Sequence, residues 1–497
     1  MKVYLIQPPY TLLSNKYKQA VPPLGLAYIA AVLEKNGHEV KILDAVVEGY
    51  ETEEKIGDGF IRYGLTFPEI FSRVKSLQPD LIGISCLFSS QWQNTYELGH
   101  YLKDKLPNAV IVMGGGHPSV FPKEVIQSGA ADYVVIGEGE ESIKQLVNYL
   151  LHQDSVALNK IDGLAYKDKN GQIRVQPKTK FIENLDELPL PARHLLNMEA
   201  YFKINMPQGL VTKHQNNTAI ISSRGCPNHC VFCSTSKFWG NRLRLRDPKE
   251  VIAEMKQLKE VYGIKELQFL DDNLTLNREH AKQLFQLMIK EGLKLEWTTP
   301  QGIAVWTLDR EMLELMRRSG CYAITLGIES GSQRVLSEII HKPLNLNQVT
   351  EAVKLAKKVG LYVFSFFVIG LPGETLTDIK KTFKFARELK IDIPVFNFAL
   401  PLPATELYEI CKKNNYLPID YQHSQTDYYK PQITTQDFNP KQILKLLKNQ
   451  RLLFILNLLI INPIRFFKVY SMIFKKKFFP NLRVFELFFI KSKFKNN

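Results

Sequence analysis

Cysteine is scarce in this chain of 497 residues. The six cysteines are Cys86, Cys226, Cys230, Cys233, Cys321 and Cys411. They are too few and too unevenly spaced for a disulfide framework, which indicates a reducing compartment. We interpret Cys321 and Cys411 as buried structural thiols rather than catalytic ones.

Long apolar runs are missing as well. Residues 452–461 are apolar apart from Asn457, but this stretch is too short for the ~20 residues that a helix needs to span a bilayer. Residues 1–9 contain neither an apolar core region nor a small-residue cleavage site, so we expect a first strand there rather than a signal peptide. A cytoplasmic location is therefore expected.

Acidic residues are almost missing from the C-terminal segment. From Lys441 onward the chain has thirteen lysines and arginines but one acidic residue, Glu486, which leaves a net charge of only +2 for the preceding residues out of +14 in all. The body is nearly neutral, and the basicity belongs to the tail. Nucleic-acid binding is not favoured, because no recognised RNA-binding module accompanies this charge.

The N-terminal third alternates short apolar runs with helical spacing. The runs at residues 2–7, 39–44, 80–85, 109–113 and 132–136 predict parallel strands covered by helices on both faces. We therefore predict a doubly wound, flavodoxin/Rossmann-like domain over residues 1–152. At 45% hydrophobic and 23% charged residues the composition is globular, and the length allows about three domains of ~150 residues.

Ligands of doubly wound domains bind beyond the carboxyl ends of the strands, so the turns after the strands are candidate binding sites. Here these turns contain Ser85, Gly114, Gly115, Gly116, His117, Gly137, Glu138 and Gly139. Small residues let the backbone approach a large flat or phosphate-bearing ligand. The alternative is that the glycines only form tight turns. With the turn Gln7-Pro8-Pro9 after the first strand, four such turns lie on one edge, which favours a ligand site.

Two further regions follow. Residues 153–212 are predicted as a linker, with a hairpin around Asn170 and a proline-rich break at residues 187–191. Over residues 213–437 strands and helices alternate again, which predicts a partial (β/α)6 barrel with its chemistry at the strand ends. Its predicted strands are residues 218–223, 265–270, 295–299, 321–327, 362–369 and 393–398. Residues 438–497 are predicted as a basic, amphipathic, helical C-terminal region.

The first barrel strand leads into a loop with Cys226, Cys230 and Cys233. Thiolates are the usual ligands of iron–sulfur clusters, and three ligands for a four-iron cluster leave one iron open. The main alternative is a structural zinc site that includes His229. No second Cys-x-x-Cys pair completes a zinc module, so the spacing favours a [4Fe–4S] cluster.

The cysteine spacing, with the aromatic Phe232 before the last cysteine, resembles the signature of the radical S-adenosylmethionine (SAM) superfamily. The resemblance implies that the open iron binds SAM, which one electron splits into methionine and a 5′-deoxyadenosyl radical. It also implies SAM contacts from residues at other strand ends. These are Asp271 and Asp272 for the methionine ammonium, Glu329 for a ribose hydroxyl, and Gly370 and Gly373 for adenine.

Each of these residues also has a structural interpretation. Asp271 and Asp272 are able to cap the next helix, Glu329 to pair with a lysine, and Gly370 and Gly373 to form a turn. Their order and spacing behind the cysteine loop favour the functional interpretation.

A doubly wound domain followed by a linker and the cysteine loop resembles the cobalamin-dependent radical SAM enzymes, which include methylases and the anaerobic porphyrin ring cyclase. The resemblance covers residues 1 to about 410. It implies cobalamin as a third cofactor. The Asp-x-His-x-x-Gly motif, whose histidine ligates cobalt in methionine-synthase-type domains, is missing after the first strand, so the corrin is expected to bind without that ligand. His117 is the nearest histidine in a binding turn.

The predicted function is methylation of an unactivated carbon of a small or lipid-like substrate by a radical SAM enzyme. The alternatives are an oxidative cyclase or another radical rearrangement and, in a different class, a corrin and Fe–S sensor. A tRNA methylthiotransferase is not favoured, because it would need three more cluster cysteines in the first domain. A flavodoxin or ferredoxin is expected as reducing partner. No catalytic residue is predicted.

The tail allows two hypotheses. In residues 441–497 aromatic residues and lysines interleave, which is typical of a helix lying on an anionic membrane surface. This predicts contact with the inner face of the membrane. The alternative is a helical cap that packs on the barrel with its lysines solvated.

Overall fold

The computed structural model describes residues 1–57, 59–152, 156–206, 208–422 and 430–474. The strands are β1 (Lys2–Gln7), β2 (Tyr10–Leu13), β3 (Glu39–Asp44), β4 (Glu53–Gly57), β5 (Phe60–Tyr63), β6 (Leu81–Ser85), β7 (Val110–Gly114), β8 (Tyr133–Val135), β9 (Leu164–Lys167), β10 (Ile173–Val175), β11 (Asn217–Ile220), β12 (Ser223–Arg224), β13 (Arg244–Leu245), β14 (Glu266–Phe269), β15 (Glu296–Ile303), β16 (Cys321–Glu329), β17 (Tyr362–Ile369) and β18 (Ile393–Phe398). The helices are α1 (Leu24–Lys35), α2 (Ala45–Glu48), α3 (Phe67–Val74), α4 (Trp92–Lys105), α5 (Gly116–Val120), α6 (Pro122–Gln127), α7 (Glu140–Leu150), α8 (Met198–Ile204), α9 (Thr235–Trp239), α10 (Pro248–Tyr262), α11 (Arg278–Lys290), α12 (Arg310–Arg318), α13 (Leu346–Lys358), α14 (Leu376–Glu388), α15 (Glu406–Lys413), α16 (Pro440–Ile461) and α17 (Pro463–Phe474).

The first sheet confirms the predicted doubly wound domain. Its strand order is β10-β9-β8-β7-β6-β1-β3, and the five strands from β8 to β3 are parallel. Alternate residues of β1 enter two different cores: Val3 and Leu5 pack on one face, and Tyr4 and Ile6 on the other. Burial on both faces explains why these strands are nearly continuous apolar runs.

Two features of this domain differ from the sequence expectation. The hairpin β9–β10, assigned to the linker, pairs antiparallel with β8 and extends the first sheet. A small antiparallel sheet, β2-β5-β4, was not predicted. Every residue of β4 is exposed, so this strand has no buried face and no hydrophobic alternation to reveal it.

The second large sheet confirms the partial barrel. Its six parallel strands follow chain order, β11-β14-β15-β16-β17-β18, with helices between them. All nine residues of β16 are buried, as expected for a strand at the centre of the sheet. The carboxyl ends of these strands lie on one edge, which is where the chemistry of such barrels is found.

The described part of the tail packs on the barrel, as the cap hypothesis proposed. Ile443 and Phe454 of α16 are buried, and the Phe454 ring lies 5.2 Å from that of Phe396 on β18. Val469 of α17 joins Tyr322, Phe364 and Ile393 at the amino ends of the strands, so α17 plugs that end of the barrel. Arg465 forms an ion pair with Asp392 beside it. The lysines of residues 475–497 lie outside the described residues.

A candidate active site where two strand edges meet

The cysteine loop lies between β12 and α9. Val231 is buried and anchors it: its amide donates to Ile340 O over 3.2 Å, and its carbonyl accepts from the amide of Leu407 over 2.9 Å. Cys226 and Cys230 are partly buried, whereas Cys233 is exposed. The loop therefore has a fixed base and an accessible face.

Burial is the main influence on the pKa values of the thiols in this loop. It raises the pKa of Cys226, and it raises that of Cys230 to about 12, with a smaller lowering effect of Lys342 at Cys230. His229, the nitrogen ligand of the zinc hypothesis, is exposed. In the described residues no three His, Cys, Asp or Glu side chains converge on one metal ion. The cysteines of a four-iron cluster each bind a different iron, so they need no common point.

Asp271 and Asp272 follow β14 and accept hydrogen bonds from the residues that lead into the cysteine loop. Asp271 is buried and accepts hydrogen bonds from the amide and hydroxyl of Ser222 and from the hydroxyl of Ser223. Asp272 accepts from the amide of Gly225 over 3.1 Å, and burial raises its pKa to about 6. Neither residue caps the next helix, whose N-cap is Asn277. Both carboxylates are thus bonded to the chain itself, and their contact with the methionine end of SAM stays a prediction.

Glu329 and Lys342 form a buried ion pair next to the cluster loop. Lys342 Nζ lies 2.9 Å from Glu329 Oε1 and donates to Gly327 O over 2.7 Å. Glu329 has a φ of +67°, a conformation that is strained for a residue with a side chain and recurs at functional sites. Burial lowers the pKa of Lys342, but Glu329 and Cys230 more than offset this, so it remains above its usual value.

The structure thus contains both the predicted Glu329 and the lysine partner of the alternative interpretation. Sequence reasoning missed Lys342. It follows a π-helical turn, Val335–Ile340, rather than a strand end, and no motif marks it.

Gly370 and Gly373 form a tight turn after β17. Their φ angles are +84° and +82°, which a residue with a side chain rarely adopts. The buried Glu374 carboxylate holds the turn by accepting from the amides of Gly370 (2.7 Å) and Leu371 (3.1 Å), and burial raises its pKa to about 8. The Cβ position of Gly370 lies 2.9 Å from Ile443 Cδ1 of α16, so the tail helix lies against this turn.

In the first domain the glycine turns contact each other. A Cβ atom added to Gly115 would lie 2.7 Å from Cys86 O, and one added to Gly116 only 2.3 Å from Leu87 O. Ser119 links two of the turns by donating to Gly115 O and accepting from the amide of Gly137. Gly114 and Gly139 meet only Val135 and Ile29 side chains or Val135 backbone. Close packing of the loops therefore explains the small residues at Gly115 and Gly116, but not those at Gly114 and Gly139.

His117 lies inside this edge rather than on it. It is 4% exposed, its ring stacks on Trp92 at 4.6 Å, and its Nδ1 lies 3.1 Å from Ser89 Oγ. The loop that follows Ser85, the last residue of β6, instead presents two apolar side chains: Leu87 is 54% and Phe88 48% exposed. Exposed apolar side chains at a ligand-binding strand edge fit the broad apolar face of a corrin.

Glu138, predicted as a cofactor contact, faces the barrel domain instead. Its carboxylate has no exposed surface and accepts from Arg224, Arg244 and the amide of Ile182. The carboxylate is thus fully engaged in contacts within the chain, and a cofactor contact of Glu138 stays a prediction. Sequence reasoning missed both arginines, because neither lies in a recognised motif.

The two carboxyl edges meet at α9, directly after the cysteine loop. The ring of Phe238 lies 3.9 Å from the Cβ position of Gly116, and its carbonyl lies 3.4 Å from that of Gly137. The three cysteines fit a [4Fe–4S] cluster. The Glu329–Lys342 pair, with Phe232 partly buried beside the core, fits a polar cosubstrate on that cluster. The edge formed by Leu87 and Phe88 fits a corrin.

Comparisons with known proteins agree with this arrangement. The model of the radical SAM superfamily matches residues 220–386, and that of the B12 binding domain matches residues 10–147. Cytidylyl-2-hydroxyethylphosphonate methyltransferase of Streptomyces wedmorensis is 37% identical over 84% of this chain and 82% of its own. An uncharacterized methyltransferase of Pyrococcus horikoshii is 36% identical over 92% of this chain and 93% of its own. An anaerobic magnesium-protoporphyrin IX monomethyl ester cyclase of Rubrivivax gelatinosus is 26% identical over 82% of this chain and 70% of its own.

Solved structures share the fold. The radical SAM methyltransferase TsrM of Kitasatospora setae superposes with a TM-score of 0.65 at 20% identity, over 84% of this chain and 76% of its own. The cobalamin-dependent radical enzyme OxsB superposes with a TM-score of 0.65 at 16% identity, over 90% of this chain and 61% of its own.

The site and the fold define an enzyme that joins a B12-binding domain to a radical SAM barrel. The chain belongs to the cobalamin-dependent methyltransferase branch of the radical SAM superfamily. Its cofactors are a [4Fe–4S] cluster, SAM and cobalamin.

Proposed function

We propose that the chain methylates an unactivated carbon of a small or lipid-like molecule. The observation that carries this proposal is the meeting of the two carboxyl edges at α9, which brings the corrin edge next to the cysteine loop. When bound, the cluster supplies the electron that splits SAM, and the corrin supplies a carrier for the methyl group. The Streptomyces relative, whose name gives a cytidylyl-hydroxyethylphosphonate as substrate, supports a small molecule.

The following roles are part of the proposal. Cys226, Cys230 and Cys233 hold the cluster. Glu329 binds the SAM ribose, with its carboxylate oriented by Lys342, and the turn of Gly370 and Gly373 receives the adenine. Asp272 faces the methionine end of SAM, and Asp271 keeps the strand end in place.

We also propose a division into residues 1–152, 153–212, 213–437 and 438–497. The hairpin β9–β10 of the second segment belongs structurally to the first domain, because β9 pairs with β8. The family matches at residues 10–147 and 220–386 support the two main domains.

Product analysis tests the reaction. Protein purified and reconstituted without oxygen, with a corrin spectrum in visible light, is given SAM, a one-electron reductant and candidate substrates. We expect both S-adenosylhomocysteine and 5′-deoxyadenosine. Methyl transfer from SAM leaves S-adenosylhomocysteine, so 5′-deoxyadenosine alone would favour the cyclase alternative. Release of neither product would support a sensor and contradict the proposal.

We propose a flavodoxin or ferredoxin as electron donor and a cytoplasmic location at the inner face of the membrane. Among the described residues, no helix combines the length and the apolar character needed to cross a bilayer. However, α16 and α17 expose a row of apolar side chains, Leu453, Leu456, Ile460, Ile464 and Phe467. Ile460 is 77% and Ile464 70% exposed, and the lysines that follow in the sequence would favour anionic lipid.

Vesicle sedimentation tests the membrane contact. We expect the protein to bind vesicles that contain phosphatidylserine and not vesicles of phosphatidylcholine alone. The variant Ile460→Ser/Ile464→Ser should lose this binding, whereas Val261→Ser, which changes an apolar side chain that is 63% exposed on α10, should keep it. Equal binding of all three proteins would contradict the contact.

A further inference from the structure

Glu138 lies in the turn between β8 and α7, at the corrin edge of the first domain, and reaches into the barrel domain. Arg224 donates to its Oε1 over 2.6 Å, and Arg244 donates to its Oε2 over 2.8 Å. The amide of Ile182, in the linker, donates to the same Oε2 over 2.7 Å. One buried carboxylate therefore joins three separate segments of the chain.

The two arginines lie opposite each other in the ribbon that begins the cysteine loop. Arg224 of β12 pairs with Arg244 of β13, and Cys226 follows Arg224 by two residues. Gly225 between them has a φ of +88°, and a side chain there would come within 2.3 Å of Arg242 O. The backbone from Arg224 to the first cluster cysteine is thus tightly packed, so a shift of Arg224 would move Cys226.

Charge balance requires this contact. Both guanidinium groups are nearly fully buried, and like charges facing each other across a ladder repel. Glu138 and Glu140 supply two negative charges, the second through a 2.8 Å bond from Arg224 to Glu140 Oε1. The Arg224 guanidinium also lies 4.9 Å from the ring of Tyr28 in the first domain and 4.8 Å from that of Trp239 in the barrel domain.

We propose that Glu138, Glu140, Arg224 and Arg244 form an interdomain clasp that fixes the cluster loop relative to the corrin edge. The clasp acts through position: none of its side chains needs to touch a cofactor. By fixing the distance between cluster and corrin, the clasp keeps the amount of radical formed close to the amount of product methylated. The expected change in product ratio rests on the proposed function. The expected change in the distance between cluster and corrin rests only on the contacts above.

The test compares three single substitutions in the reconstituted holoenzyme. Glu138→Gln removes the charge shared by both arginines, Glu140→Gln removes the second negative charge beside Arg224, and Glu141→Gln is the control. Glu141 is the next residue of α7, but its carboxylate is 46% exposed and contacts Lys144 and Gln145. Each protein is assayed for iron and corrin content, for spin–spin coupling between the reduced cluster and cob(II)alamin, and for products.

In Glu138→Gln we expect the iron content of wild type, a broadened distance distribution between the two spins, and more 5′-deoxyadenosine per methylated product. A misplacement of about 1 Å can cost on the order of 10²-fold in a reaction that depends on alignment, so we expect this ratio to rise by at least about tenfold. Glu140→Gln should show a smaller change of the same kind, and Glu141→Gln none.

If Glu138→Gln shows the same spin–spin coupling and the same product ratio as wild type, the clasp is overturned. If that variant does not fold, Glu140→Gln decides in the same way. If neither accumulates as folded protein, the four residues act in folding rather than in positioning, and the proposal is also overturned. The spin distance needs no substrate, so its outcome is separate from a failure of the proposed function, in which wild type itself would release no product.

Discussion

The two strand edges that meet at α9 use their residues in different ways. At the barrel edge, charged side chains such as Glu329 and Lys342 contact one another near the cysteines. At the edge of the first domain, the glycine turns pack on neighbouring loops, and the accessible groups are the apolar Leu87 and Phe88. Short polar motifs thus indicate the reactive groups at the barrel edge, whereas glycine runs at the edge of the first domain indicate close packing of loops.

The largest effect is expected at the barrel edge. Cys230→Ala removes a cluster ligand, so we expect complete loss of S-adenosylhomocysteine and 5′-deoxyadenosine together with the cluster absorbance. Cys411→Ala, a buried cysteine far along the chain in α15, is the matched control and should retain both. Product formation by Cys230→Ala would contradict the assignment of the cluster site.

A glycine substitution tests the other edge. In Gly116→Ala the new methyl group would overlap Leu87 O, so the loops after β6 and β7 must separate. We expect a destabilisation of about 3 kcal/mol and a loss of corrin binding, measured by thermal unfolding and by the visible spectrum. Gly25→Ala is the control: α1 has open space at this position, and the change should stabilise the protein by about 0.5–1 kcal/mol. Equal corrin content in the two variants would show that the turn contact is dispensable.

The ion pair at the barrel edge is expected to matter for SAM affinity. Glu329→Gln leaves the Lys342 ammonium buried without its carboxylate and removes a proposed ribose ligand. Hydrogen bonds to charged groups contribute about 1.5–3 kcal/mol, so the dissociation constant for SAM should rise about 10- to 100-fold in equilibrium dialysis. Glu351→Gln, which breaks an exposed pair with Lys354, is the control and should bind SAM as wild type does. Unchanged affinity in Glu329→Gln would remove this residue from the site.

The smallest effect on cofactor binding is expected at Glu374, whose carboxylate holds the turn after β17 and whose contribution is read as stability against pH. Burial raises its pKa from 4.5 to about 8, so the folded protein keeps a proton that the unfolded chain loses. Its contribution to stability is therefore complete below about pH 4.5, falls as the pH rises, and levels off above about pH 8.

Glu374→Gln cannot lose this proton. Its stability relative to wild type should rise by about 1.4 kcal/mol per pH unit between these limits. Thermal unfolding midpoints from pH 5 to 8.5 measure the difference, with the exposed Glu388→Gln as control. A flat difference would mean that Glu374 ionises normally.

Much of the fold could be predicted because its strands are buried on both faces. The six barrel strands lie where the apolar runs indicated, with small shifts at their ends, as do the five parallel strands of the first domain. The sheet β2-β5-β4 could not be predicted, because its strands are short and β4 is exposed throughout. The hairpin β9–β10 was recognised from its turn, but its pairing with β8 depends on a contact that no local pattern encodes.

The candidate site was predicted in part. The cysteines, Asp272 and Glu329 lie at the barrel edge as expected. The ion pairs of Glu138 could not be predicted from a glycine-rich turn alone, because its partner Arg224 is 86 residues away in the chain. His117 was noted as a turn histidine, and only packing shows that its ring stacks on Trp92.

The sequence by itself determined the cluster loop, the alternation of strands and helices, and the basic character of the tail, because these depend on residue spacing and local burial. Only the tertiary structure decided that α17 covers the amino end of the barrel, that Lys342 pairs with Glu329, and that Glu138 binds Arg224 in the β12–β13 ribbon. These contacts join segments that are distant in sequence, and a buried charge takes the partner that the packing of both domains brings to it.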